Sequence, residues 1–274
     1  MRVSRLNERD AVIEIVNTGK LKIDKDNLDI SIGLEANSSK EYRKEDLDYK
    51  VDNTGDNRCK VYILPCGSGD VPFRDEFINE KVCILNFASS RNPGGGFMKG
   101  ANAQEENLCY HSNLYDILSK HKSFYEFNNS NLRKSLYTDG IVYSRNVLFF
   151  RKNFKNVNPK LTDVITCAAP NRGAALRNGV SEIDIERTMS RRLEQIIKVA
   201  IENDNRILVL GAFGCGVFKN KVEFVAKEIR KLLFTKGYGT QFDSIIIPTL
   251  TSDGEVYNGF KEVFKGTKYL VVEE

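Results

Sequence analysis

The sequence predicts an α/β fold, with a mixed, largely parallel sheet covered by helices. Short apolar runs at 82–85, 161–169, 207–210 and 244–248 have the length and composition of strands buried on both faces. Between them lie segments of helical periodicity, clearest at 181–204, so strands alternate with helices as right-handed crossovers require. Two glycine-rich stretches, 94–96 and 211–216, each follow such a strand. This puts both at the carboxyl ends of the strands, where open α/β sheets bind ligands.

Taken in order, residues 5–17 predict a short helix, with Val12, Ile15 and Val16 on one side and Gly19 as its cap. Ile30, Ile32 and Leu34 alternate like an edge strand. Residues 37–60 are polar and highly charged and predict solvated loop or exposed helix. A strand is expected at 61–64 and a turn at 66–70. The chain is thereby divided into an N-terminal accessory segment, 1–60, and a core, 61–274.

The core is organised around residues 82–115. After the strand, Pro93 and the three glycines Gly94, Gly95 and Gly96 forbid regular structure and let backbone N–H groups turn towards a ligand. A helix is expected from Asn102, an N-cap residue with Glu105 three positions on as a capping box, continuing through Leu108, Leu114, Tyr115 and Leu118. Gln104, Glu105 and Glu106 then fall in its first turn. A strand, a glycine loop and a helix start suit a phosphate or phosphosugar. The two glutamates are also explained by the helix dipole alone, which favours anions at that end. If they are functional, adjacent positions do not face one bond equally, so one would act and the other would hold. A glycoside fits such a pair, because its cleavage needs a carboxyl group to protonate the leaving oxygen and manage a water.

Further along, 122–135 lacks a clean period and predicts a loop or broken helix, and 141–150 predicts a strand or hairpin limb. The strand at 161–169 ends in turn chemistry at 170–173. Ile185, Met189, Leu193, Ile196, Ile197 and Ala200 mark one apolar helix face, and Val225, Ile229, Leu232 and Leu233 another. The second glycine loop is not a P-loop, since Val217 and Phe218 follow Gly216, nor a dinucleotide fingerprint, since Lys219 stands where the third glycine belongs. It leaves a diphosphate cradle of N–H groups from Gly214, Cys215, Gly216 and Val217, or a turn made tight only to join strand to helix. Phe218 suits a sugar or core packing. Asn86 and Asn92 flank the first loop, with amides that suit sugar hydroxyls or turn capping.

The triple glycine followed after seven residues, 97–103, by Gln104, Glu105 and Glu106 resembles the signature of poly(ADP-ribose) glycohydrolases. NFASSRNPGGGF is similar to their microbial branch. The likeness extends through YTDGIVYSRNVLFFRK, VITCAAPNRG and LVLGAFGCGVFKN in family order, covering about residues 80 to 250. It implies a macrodomain-like core that binds ADP-ribose and hydrolyses the ribose–ribose bond between units, mainly from the chain end. It also implies Glu106 as the acid, Glu105 as the group that holds sugar hydroxyls, and Asn92 and Phe218 beside the ribose. Gly214 to Phe218 would form the diphosphate loop. A helix start lowers a carboxyl pKa while an acid near neutral pH needs it raised, so desolvation or neighbouring negative charge must win. A mono-ADP-ribosyl hydrolase and a non-catalytic ADP-ribose reader are the alternatives.

The balance of 41 Lys and Arg against 37 Asp and Glu, a net +4, does not support direct nucleic-acid binding. Six scattered cysteines without a CxxC, and only two histidines, His111 and His121, lack metal-ligand spacing. The cysteines, Cys83, Cys167 and Cys215 included, read as reduced structural thiols. No apolar span of membrane length and no signal peptide is evident. The expectation is a cytoplasmic monomer with no metal or cofactor, acting on poly(ADP-ribose) or ADP-ribosylated protein and releasing ADP-ribose.

Overall fold

The computed structural model describes residues 2–54, 56–267 and 270–272. Helix α1 (Arg2–Thr18) stops at Gly19, whose φ of 65° closes the helix with a bond from its N–H to the Ile15 carbonyl at 2.9 Å. Strands β1 (Lys20–Ile23) and β2 (Asp26–Asp29) form a small antiparallel ribbon, followed by helix α2 (Ser31–Glu35) and strand β3 (Ser38–Tyr42). Strands β4 (Lys60–Leu64) and β5 (Val82–Phe87) lead to helices α3 (Gln104–His111), α4 (Leu114–Ser119) and α5 (Lys122–Ser130). Strands β6 (Ile141–Lys152) and β7 (Lys155–Cys167) form a hairpin. Helices α6 (Arg172–Arg177) and α7 (Glu182–Glu202), β8 (Ile207–Val209), α8 (Val222–Arg230), β9 (Ser244–Pro248), α9 (Glu255–Phe264) and β10 (Leu270–Val272) complete the order.

The main sheet has eight strands in the order β10-β4-β9-β8-β5-β7-β6-β3. Every pairing from β10 to β7 is parallel, and β6 is antiparallel to both its neighbours. Alternation along the buried strands feeds two cores, since successive side chains leave opposite faces. Cys83 and Leu85 of β5 pack with Met189, Val225 and Phe260 of α7, α8 and α9, whereas Val82 and Ile84 pack with Val12, Leu108 and Leu118 of α1, α3 and α4. The carboxyl ends of β8, β5 and β7 therefore lie side by side on one edge of a sheet covered on both faces.

Several elements depart from the sequence expectation. The alternation of Ile30, Ile32 and Leu34 is not a strand: Asp29 Oδ1 accepts the Ser31 N–H at 3.0 Å and starts helix α2, leaving Ile32 fully in solvent. Residues 37–60 are not simply solvated, because β3 adds an edge strand to β6, and Tyr42, Leu47 and Cys59 are buried. Four of the five β3 side chains face water, and for that reason the strand reads as a loop. The expected long helix beyond 102 is interrupted. Ser112 is extended and bridges to Phe149, while its Oγ accepts the Leu114 N–H at 3.2 Å, dividing the segment into α3 and α4. Residues 122–130 form helix α5.

Leu21 of β1 is completely buried in the same core as Phe97 and Leu108. Leu21→Ala is expected to cost roughly 2–5 kcal/mol of global stability. In denaturant melts this should appear as one shifted transition. A separate early transition with the main one unmoved would show that the N-terminal elements fold apart from the sheet.

Candidate active site

Beyond Phe87 the chain doubles back over the start of α3. Gly94 and Gly95 have φ of 64° and 59°, in the left-handed region that other residues enter only with strain. Space is equally restrictive. A Cβ on Gly95 would stand 2.5 Å from Glu106 Oε1 and 2.8 Å from Glu105 Oε2, and one on Gly96 would stand 2.7 Å from the Ala101 Cβ. The loop thus lies directly on two carboxyl groups, of which Glu105 is 3% exposed and Glu106 7%.

Each carboxyl group is held by backbone donors. Glu106 accepts the Gly96 N–H at 2.7 Å and the Ala103 N–H at 2.9 Å, so it is Glu106, not Glu105, that reaches back to cap the helix. The cap position is Ala103 rather than Asn102. Glu105 accepts the Ser89 N–H at 2.7 Å and Asn86 Nδ2 at 3.3 Å, with a further contribution from the Gly94 N–H. These donors favour its ionised form, but burial outweighs them and pushes its pKa from 4.5 up to about 8. Desolvation therefore wins over the helix start at this carboxyl.

Asn86, at the end of β5, is fully buried and also donates to Thr166 Oγ1 of β7 at 3.3 Å, so it lies behind Glu105 rather than facing the cleft. Gln104, expected against the ligand, binds the β5 backbone with both polar atoms: Oε1 accepts the Phe87 N–H and Nε2 donates to the Leu85 carbonyl, each at 2.8 Å. It clamps α3 to β5. Asn92 is exposed at the loop shoulder, its N–H bound to Ser89 Oγ at 3.1 Å and its carbonyl to the Gly95 N–H at 3.0 Å. Its amide group is left facing solvent.

The second loop leaves β8 beside β5, and the Phe87 ring, 5.8 Å from that of Phe213, packs between the two loops. Gly214 has φ of 73°, and a Cβ there would fall 2.5 Å from the Ala169 Cβ. Nothing stands within 4 Å of a Cβ on Gly216, which opens onto solvent. The Cys215 N–H is already bound to the Ala212 carbonyl at 3.1 Å. Among the described residues the N–H groups of Gly214, Gly216, Val217 and Phe218 have no acceptor within the chain. The Cys215 thiol is pushed up to about 12 by burial, which makes it a poor nucleophile.

A third wall is formed by residues 133–140, which sequence reasoning passes over. Arg133, Lys134, Ser135 and Tyr137 all have positive φ, and the Tyr137 ring lies 6.0 Å from that of Phe218. This strained turn is fixed by Arg192, a fully buried guanidinium that donates to the carbonyls of Leu136, Tyr137 and Ala168 and to Asp139. Burial opposes the Asp139 charge, but Arg191 and Arg192 overcome it and hold the carboxyl below its ordinary value. Ser89, Thr166 and Arg192 carry no motif of their own. Only the adjacency of the strand ends identifies them.

Fold and site together define a macrodomain-like α/β enzyme with two buried carboxyl groups beneath a glycine loop. The sequence model described as microbial-type PARG, catalytic domain, matches residues 10–152. The chain belongs to this family of microbial-type poly(ADP-ribose) glycohydrolases, and its activity is a poly(ADP-ribose) glycohydrolase activity. The poly(ADP-ribose) glycohydrolase of Thermomonospora curvata is 28% identical, with a TM-score of 0.86, over 96% of this chain and 100% of that one. The same protein bound to the inhibitor ADP-HPD gives 27% identity and a TM-score of 0.84 over 95% and 99%. The enzyme of Deinococcus radiodurans in complex with ADP-ribose is 29% identical, with a TM-score of 0.73, over 84% and 95%. No curated protein matches the chain. Among the described residues no group of His, Cys, Asp or Glu is placed to hold a metal ion, and no helix is long and apolar enough to cross a membrane.

Two predictions follow from this geometry. Between pH 4.5 and about 8 the unfolded chain loses a proton that folded Glu105 keeps, so this group destabilises the fold increasingly across that window. Glu105→Gln cannot titrate, and its Tm relative to the parent should therefore rise between about pH 5 and about pH 8. A difference that does not change with pH would show that Glu105 ionises normally. Gly216→Val should fold like the parent but lose ADP-ribose affinity in calorimetry, whereas Gly214→Ala should lower Tm because its Cβ meets Ala169. Undiminished affinity in Gly216→Val would remove the second loop from the binding site.

Proposed function

We propose that the chain cleaves the ribose–ribose bonds of poly(ADP-ribose) with Glu106 as the acid, while Glu105 holds the sugar that leaves or stays. The observation that supports this most is the pair of buried carboxyl groups under Gly94, Gly95 and Gly96, beside a loop with free N–H donors. The N–H groups of Gly214, Gly216, Val217 and Phe218 suit a diphosphate, and Asn92 and Phe218 suit the ribose between the two loops. Glu106 gives its proton to the departing ribose oxygen as the glycosidic C–O bond breaks and positive charge develops on the sugar. The resulting carboxylate, stabilised by the Gly96 and Ala103 N–H groups, then takes a proton from the water that attacks the sugar carbon. This restores the acid and leaves free ADP-ribose.

A second assignment makes Glu105 the acid, and its pKa of about 8 favours that reading, because it keeps a proton near neutral pH. Glu106→Gln distinguishes the two. It keeps size and hydrogen bonding but has no proton to give, so turnover of polymer should fall by roughly a hundred- to ten-thousandfold while ADP-ribose affinity changes little. Near-parental hydrolysis by Glu106→Gln, with Glu105→Gln inactive, would exchange the roles.

The finer reading is chain-end cleavage, by resemblance to the microbial branch, with monomeric ADP-ribose rather than long oligomers as the first product. A monomer acting in the cytoplasm, on polymer or ADP-ribosylated protein, is consistent with six free thiols. Residues 1–60 are assigned an accessory role, because Arg9 Nη1 donates to the Met98 carbonyl at 2.7 Å and so supports the chain just after the first loop. Release of ADP-ribose from mono-modified protein, but not from polymer, would favour the mono-ADP-ribosyl hydrolase instead.

A further inference from the structure

The side of Glu105 away from the cleft contains a group that the mechanism does not use. Tyr125 is 5% exposed, and its hydroxyl is among the buried polar atoms with no hydrogen-bond partner. Burial, reinforced by the negative charge of Glu105 and the neighbouring Cys109 thiol, holds this phenol well above its ordinary range. Cys109 lies one turn after Glu105 on α3, and its Sγ is 3.2 Å from the position of a Cβ on Gly94, so Tyr125 approaches the catalytic pair from beneath the glycine loop. Asn86 Oδ1, on the amide that already touches Glu105, is a second buried atom without a partner.

Packing explains the ring but not the hydroxyl. The Tyr125 ring stands edge-on to Phe124 at 5.3 Å, inside the core that contains Leu108, Cys109 and Leu114. Phenylalanine would fill the same space without a buried, unpaired hydroxyl, a group that costs folding stability. The helix that carries Tyr125 is also tied to the cleft on two sides. Arg91 Nε donates to Asn129 Oδ1 at 3.2 Å, Asn129 Nδ2 returns to the Arg91 carbonyl at 3.1 Å, and Asn128 accepts from Thr138 on the third wall. A ligand that draws the first loop and the 133–140 turn together therefore also acts on α5.

We propose that Tyr125 is a positioning residue for the reaction, whose hydroxyl donates a hydrogen bond to the Glu105 carboxyl when polymer occupies the cleft. This rests on the assignment of Glu105 to the sugar. The unpaired hydroxyl of the free protein then becomes paired as the sugar fixes Glu105 in place.

Tyr125→Phe, Glu105→Gln and the double variant, assayed on defined poly(ADP-ribose), test the proposal. Tyr125→Phe should melt at or above the parent Tm and lose about tenfold in kcat, the worth of one hydrogen bond to a carboxyl group, with KM within about twofold. In the Glu105→Gln background the same substitution should change kcat by less than about twofold, since the group it acts through is gone. Parental kcat in Tyr125→Phe, with Glu105→Gln slow, would reduce the tyrosine to packing. An equal loss in both backgrounds, or a lowered Tm, would also overturn the proposal. Parental kcat in Glu105→Gln would instead overturn the underlying assignment of Glu105.

Discussion

Two adjacent carboxyl groups buried at the start of one helix are the constraint on which this structure depends. Each is costly to remove from water, and each raises the cost of charging the other. The chain offsets this with backbone N–H groups rather than with cations: Ser89 and Gly94 for Glu105, Gly96 and Ala103 for Glu106. Such donors can reach both carboxyl groups only if the loop carrying them lies on the helix start without intervening side chains. The three glycines make that contact, and Gln104 fixes the distance by binding α3 to the last backbone groups of β5.

The sheet then determines what can gather around the pair. Because β8, β5 and β7 are parallel neighbours, their exits place the second glycine loop, the first loop and Ala168 on one edge. Glycines with similar sequence surroundings serve different ends there. Gly214 is needed because Ala169 and Asn220 crowd it, whereas Gly216 faces open space and leaves room for a ligand. Opposite them, the positive-φ turn at 133–137 is held by a buried Arg192 whose donors meet three carbonyls and Asp139. A buried guanidinium is tolerable only when it is paired and bonded in this way.

Elements outside the signature motifs supply the support. Arg151, buried beneath α1, binds the Glu8 carboxylate at 2.6 Å and the Phe154 carbonyl, fastening the first helix to the turn of the β6–β7 hairpin. The Arg9 bond to Met98 continues this support as far as the glycine loop. On the other side, α5 reaches both the first loop and the third wall. The cleft is therefore braced by segments distant from it in sequence, and its shape responds to their packing.

The sequence by itself determined the alternation of strands and helices, the placing of both glycine loops at strand ends, and the pair of glutamates in a first helical turn. Those features depend on local periodicity and on residue types with strong backbone preferences, which are legible in one dimension. The residues within the two loops were recognisable for the same reason. Tertiary structure decided which glutamate caps the helix, that Asn86 and Gln104 support the pair rather than face a ligand, and that Ser89, Thr166, Arg192 and Tyr125 belong to the site. It also turned an apparent strand at 30–34 into a helix and an apparent loop at 38–42 into an edge strand, because an Asp29 cap and a vacant edge on β6 outweigh side-chain pattern. Capping, burial and strand pairing depend on which atoms meet across the fold. That information appears only when distant segments share one sheet edge.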